Sequence, residues 1–101
     1  MQASLTVAEG RAVIRLQGRF DFNAHREFRE ATERALREAG AKELRVDLAD
    51  VEYLDSSALG MLLMLRDKAK AANQSVSLAN CKGAVRQVLD IANFGKLFTI
   101  V

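Results

Sequence analysis

The chain has 101 residues, half of them apolar and 28% charged, which fits one small folded domain and excludes a disordered segment. The net charge is only +2, and acidic and basic residues are mixed, as in REFREATERALRE, so no basic stripe for nucleic acid is present. One cysteine, Cys81, excludes an internal disulfide and a cysteine-built zinc site and suits a reducing compartment.

The first elements are short and alternate. Residues 4–8 (SLTVA) place Leu5 and Val7 on one side. A turn at Glu9-Gly10 follows. Residues 12–17 (AVIRLQ) then set Ile14 and Leu16 against Arg15 and Gln17, so a β-hairpin is expected to open the chain.

Residues 24–39 (AHREFREATERALREA) carry Phe28, Ala31, Thr32, Ala35, Leu36 and Ala39 on one stripe at period 3.6. A helix is predicted there, capped by Asp21 or Asn23 and stopped by Gly40. Residues 43–48 (ELRVDL) alternate again, with Leu44, Val46 and Leu48 inward and Arg45 and Asp47 outward.

A second helix is expected over residues 57–72. Ala58, Met61, Leu62, Leu65, Ala69 and Ala72 fall in one sector about 100° wide, the width of a core-facing stripe. Leu59 and Leu63 lie on a different face with Arg66 and Lys70. They either pack against a neighbouring helix or form a partner-binding patch. SVSLA (residues 75–79) reads as a strand. Residues 83–92 read as a third helix with Ala84, Val85, Val88, Leu89 and Ala92 on one stripe, and LFTIV (residues 97–101) as a last strand.

The predicted order is therefore ββαβαβαβ. The strands alternate instead of being apolar on both faces. This implies a mixed sheet with helices on one face and the other face partly wet, a two-layer α/β domain. The start, MQASLTVAEG, lacks a basic region followed by an apolar run, and no apolar run approaches a membrane span. A cytoplasmic chain without signal peptide or membrane insertion is expected.

The chemistry concentrates in VDLADVEYLDSSALGMLLML, where Asp55-Ser56-Ser57 stands between a strand and an apolar helix. Asp and Ser before a helix are preferred caps. Serine catalysis needs an activating base, yet the only histidine, His25, lies near the first helix, and no G-x-S-x-G elbow surrounds the serines. The acids Asp47, Asp50, Glu52 and Asp55 suit a divalent cation by type. Asp47 is expected opposite the core and the others in a short loop, so no metal site is expected. No phosphate-cradling glycine loop is present, so no cofactor is expected either. Cys81 reads as a small apolar packing residue. Phosphorylation is the remaining chemistry. A helix N-terminus tolerates a phosphate, whereas a partner docked there meets nearly two new negative charges. The segment describes a possible binding switch.

VDLADVEYLDSSALG, the apolar helix after it, SLANCKGAVRQVLDIANFGKLF and the earlier GRFDF segment together resemble the STAS-domain anti-sigma factor antagonists of bacteria, over nearly the whole chain. The resemblance implies a single STAS domain over residues 1–101, a regulator and not an enzyme. It implies binding to an anti-sigma factor that is also a GHKL-type serine kinase, with release of a sigma factor. It further implies phosphorylation of Ser56, which ends binding, and a PP2C-type phosphatase that restores it. Asp55 and Ser57 would flank the phosphoacceptor, and Leu59, Gly60 and Leu63 would contact the partner. Ala58 stands where the family often has glycine. A monomer is expected for the free chain. The alternative is a STAS adaptor subunit of a larger complex, in stress signalling or lipid transport, that never carries phosphate.

Overall fold

In the computed structural model, which describes residues 1–38 and 40–101, the chain opens with strands β1 (Gln2–Ala8) and β2 (Arg11–Phe20). Glu9 and Gly10 both take positive φ, 54° and 78°, the two-residue hairpin turn whose twist matches its strands. Helix α1 (His25–Leu36), strand β3 (Glu43–Leu54), helix α2 (Ser56–Ala71), strand β4 (Ser75–Ala79), helix α3 (Gly83–Ile91) and a two-residue strand β5 (Thr99–Ile100) follow. The order ββαβαβαβ is the expected one.

The five strands lie side by side in chain order, β1-β2-β3-β4-β5. The hairpin pair is antiparallel and the other three pairs are parallel. Each parallel pair requires a crossover, and right-handed crossovers that all step the same way put their helices on the same face. α1 and α2 pack on each other accordingly, with α1 also on β1 and β2 and α2 on β4. Among the described residues, β3 past Asp47 has no strand partner on the β4 side, and α3 packs against β3.

The core is the apolar stripe of each element. Ile14, Leu16 and Phe20 of β2, Leu44, Val46 and Leu48 of β3, Leu62 of α2, Leu78 of β4 and Leu89 of α3 are fully buried. Burial of one such side chain stabilises the fold by roughly 1.5–3 kcal/mol. Phe20 and Phe28 add a tilted aromatic contact at 4.9 Å between ring centroids, which ties α1 to the sheet.

The opposite face of the sheet is polar. Arg11 pairs with Glu43 at 2.9 Å, Arg45 reaches Glu43 and Ser77, both at 3.2 Å, and Arg15 pairs with Asp50 at 2.9 Å. Ser77 is buried and its hydroxyl donates to Glu43. That hydrogen bond, more than Arg11 or Arg45, holds the Glu43 carboxyl below its usual pKa against the opposing effect of burial.

Several boundaries differ from the sequence reading. β2 and β3 run to Phe20 and Leu54, well beyond residues 17 and 48. Their pairing shifts register between Arg15 and Gln17 and again at Gly18, whose φ of +102° favours glycine. Each shift sets an extra residue in β3, so β3 loses its alternation after Leu48 while β2 keeps it through Phe20. Asp50 and Glu52 consequently sit in β3 and not in a loop. Asp21 caps a 3-10 turn (Phe22–Ala24) by accepting from the Asn23 amide at 3.0 Å, while α1 itself has no side-chain cap. α1 ends at Leu36 with Arg37 in right-handed geometry, so Gly40 is not its stop. Ala39 lies outside the described residues. Ala72 and Ala84 are exposed, since each sits at or near a helix end. Leu97 and Phe98 precede β5, following a 3-10 turn (Phe94–Lys96).

Candidate functional site

The Asp55-Ser56-Ser57 segment is held from both sides. The Asp55 amide donates to the Phe20 carbonyl at the end of β2, 3.3 Å away. The Asp55 carboxylate accepts from the Ala58 amide at 3.0 Å and is the N-cap of α2. Asp55 is extended and Ser56 is the first helical residue. The cap is therefore the aspartate alone, and the Ser56 side chain is left exposed at the helix N-terminus. Ser57 and Asp55 are half-buried beside it.

Ala58 is fully buried, so its methyl group is part of the core. Leu59 and Leu63 are half-buried and pack against the core. Gly60 is exposed, and a Cβ there would meet nothing within 4 Å. Glycine costs about 1 kcal/mol relative to alanine inside a helix, so the fold alone does not call for one here. On α2 the most exposed large apolar residue is Met64, at 53%.

Two exposed aromatic residues were missed by the sequence reading. β2 and β3 end together, with Arg19 opposite Tyr53 and Phe20 opposite Leu54. Phe22, just past that end of β2, is 72% exposed, and Tyr53 is 40% exposed under the Arg19 guanidinium, 4.1 Å from the ring centroid. Both stand at the end of the sheet where Ser56 begins its helix. The available signal was the spacing in GRFDF. Phe20 is core, and the chain turns immediately afterwards at Asp21, which sends the second phenylalanine outward.

The acids before the serines do not converge. Asp47 accepts from the Ala49 amide at 2.9 Å and from Asn80 at 3.0 Å. Asp50 faces Arg15, whose hydrogen bond holds its carboxyl below the usual range. Among the described residues, no three His, Cys, Asp or Glu side chains are placed to share a metal ion. His25 is exposed on α1, far in sequence from the serines. Cys81 is half-buried, and burial pushes its thiol pKa up. No helix among the described residues is long and apolar enough to cross a membrane.

A mixed five-stranded sheet with its helices in this order, and a capped Asp-Ser-Ser at the start of the second helix, define the class of small STAS-fold domains. Residues 4–101 match the family model described as "Mlab, STAS domain", and the chain belongs to the STAS-domain family. It is 51% identical over 98 residues to a STAS-domain-containing protein of Pseudomonas aeruginosa (strain UCBPP-PA14), covering 96% of this chain and 95% of the relative. Its fold is similar to that of an anti-sigma factor antagonist from Mycobacterium paratuberculosis, with a TM-score of 0.86 at 19% identity over 98% of this chain and 83% of that one. It is also similar to the Bacillus cell fate determinant SpoIIAA in its phosphorylated form, with a TM-score of 0.72 at 22% identity over 98% of this chain and 90% of that one. At those identities the two structures speak to the fold.

Proposed function

We propose that this protein is an anti-sigma factor antagonist controlled by phosphorylation of Ser56. The unphosphorylated chain binds an anti-sigma factor that carries a GHKL-type serine kinase domain, and a sigma factor is released. The kinase then phosphorylates Ser56 and binding ends. A PP2C-type phosphatase removes the phosphate and resets the cycle. The protein catalyses nothing itself. It acts in the cytoplasm as a monomer made of one STAS domain, with no cofactor, no nucleic acid and no membrane insertion.

The observation that carries this reading is the division of labour between Asp55 and Ser56. The aspartate takes the capping hydrogen bond, so the serine hydroxyl is exposed and the fold does not depend on it. A phosphate there sits on free first-turn amides and the positive end of the helix dipole, and the domain tolerates it. A partner covering the same spot has to desolvate that charge beside Asp55, and binding is lost. The surrounding contact residues are Asp55, Ser57, Leu59, Gly60 and Leu63. Gly60 supports the surface role, because a partner's backbone can approach a helix closely where no Cβ intervenes. The fold shared with a protein described in phosphorylated form adds to the same reading.

The test is a capture experiment from lysate of the source organism with wild-type, Ser56→Ala and Ser56→Asp baits, with mass spectrometry of the bound proteins and of Ser56. A kinase-like ATPase held by the alanine bait and lost by the aspartate bait is the expected result. The same partners on all three baits, with no phosphate on Ser56, would refute the switch and leave a constitutive STAS adaptor of a larger complex.

A further inference from the structure

Between α1 and α2 lies a groove unrelated to the serine switch. Its floor is apolar, formed by Phe28 of α1 and by Met61 and Leu65 of α2. The half-exposed Met64 stands on its lip. Its polar rim consists of His25 and Arg29 from α1 and Lys68 from α2, and no acidic residue lines it.

α1 carries both signs, and Arg26 pairs with Glu30 at 3.3 Å. Glu27, Glu30 and Glu33 all lie off the groove. Neither Arg29 nor Lys68 forms an ion pair among the described residues. Two permanent cations therefore flank an apolar floor without an internal counterion. The groove is shallow and half open, about 30 Å³, enough for the tip of one side chain and too small to enclose a whole ligand. Methionine is well suited to such a place, since its flexible thioether adapts to different apolar guests.

We propose that the α1–α2 groove is a second docking site, which takes one apolar side chain of an acidic segment of a protein partner. Carboxylates next to that anchor meet Arg29 and Lys68, and the anchor rests on Phe28, Met61 and Met64. Charge complementarity selects the segment and speeds its arrival, while the anchor holds it. The site is independent of Ser56, so it works whether or not the serine carries phosphate.

The test does not require the switch partner. A phage-displayed library of random peptides is panned against the immobilised wild-type protein and against an Arg29→Glu/Lys68→Glu double variant. Wild-type protein is expected to enrich peptides with Asp or Glu beside a large apolar residue, and the double variant is expected to lose them. Amide shifts induced by an enriched synthetic peptide should map to residues 25–32 and 61–68. Its affinity should fall about tenfold or more with Met64→Ala and with Lys68→Glu, and fall with added salt. No enrichment, a consensus without acids, or a footprint elsewhere would overturn the proposal. The folded state of each variant is checked by the dispersion of the same amide spectrum. Peptides that bind equally to Ser56→Ala and Ser56→Asp proteins are the expected sign of independence from the switch, and a difference between the two overturns it.

Discussion

Replacing Asp55 by alanine and, separately, Ser56 by alanine separates the two roles assigned to this turn. Asp55→Ala removes the acceptor of the Ala58 amide, a 3.0 Å hydrogen bond. Loss of an N-cap side chain costs about 1 kcal/mol, within a range of about 0.5–2. A negative charge at the positive helix end contributes about 0.3–1 kcal/mol more, toward the lower value here because Asp55 is only half-buried and is screened by solvent. The expected loss is therefore about 1–2 kcal/mol. In a domain of this size that lowers Tm by roughly 4–8 °C for each kcal/mol. Asp55→Asn keeps the acceptor and should recover more than half of the loss. Ser56→Ala removes an exposed hydroxyl at the first helical position and should change stability by less than about 0.5 kcal/mol. Urea unfolding followed by circular dichroism measures all three variants, with the midpoint read at constant m. A Ser56→Ala variant as unstable as Asp55→Ala would refute the reasoning, because the serine would then be structural and not free for modification.

Other consequences can be measured in the same way. Gly60→Ala should stabilise the fold by about 0.5–1 kcal/mol, since the added methyl meets nothing, yet weaken the switch partner about tenfold in a direct binding assay. Glu43 has its pKa held down in the folded chain, so its stabilising effect is present above the unfolded pKa and is lost as the pH falls through the folded one. Urea midpoints should thus hold level above about pH 5 and decline below about pH 4, and Glu43→Gln should make that decline shallower. Cys81, with its thiol pKa raised by burial, should react with a disulfide reagent at about pH 8 more slowly than a free thiol, and urea should abolish the difference. Equal rates in folded and unfolded protein would show that the thiol is not shielded.

The sequence was most readable where one face of an element is buried and the other is wet. α1 announces itself through Phe28, Ala31, Thr32 and Ala35, all four of which are buried. The core sector of α2 holds for Ala58, Met61, Leu62, Leu65 and Ala69. Reading failed where pairing between distant residues decides the outcome. The far halves of β2 and β3 are strand because each supplies hydrogen bonds to the other, while the extra residues in β3 erase its alternation and Gly18 interrupts the apolar stripe of β2 between Leu16 and Phe20. The end of α2 carries no glycine. Asn73 takes the left-handed conformation instead, with φ of 59°, and the Gln74 amide closes back on Ala69 at 2.8 Å. At the site, Asp55 as a cap was legible from residue type alone. Phe22 was not, because only the joint ending of two parallel strands brings it near Ser56.

The sheet's strands lie in the order in which they leave the ribosome. Partners in its first two parallel pairs are 32 residues apart, as Arg11 with Glu43 and Arg45 with Ser77 are, and the third pair is nearer in sequence, with Ser77 opposite Thr99. Each new strand can dock beside the one made just before it, at a nearly constant loop-closure cost. No strand has to insert between two that are already paired. Assembly can proceed in one direction from the N-terminal hairpin, with each crossover helix arriving before the strand it delivers. The last increment is the weakest, since β5 has two residues and the helix-to-tail hydrogen bond from Arg66 to the Leu97 carbonyl, at 2.8 Å, is among its few anchors. Loss of cooperativity should therefore begin at the C-terminal end of the chain, where amide hydrogen exchange is expected to be fastest among the strands.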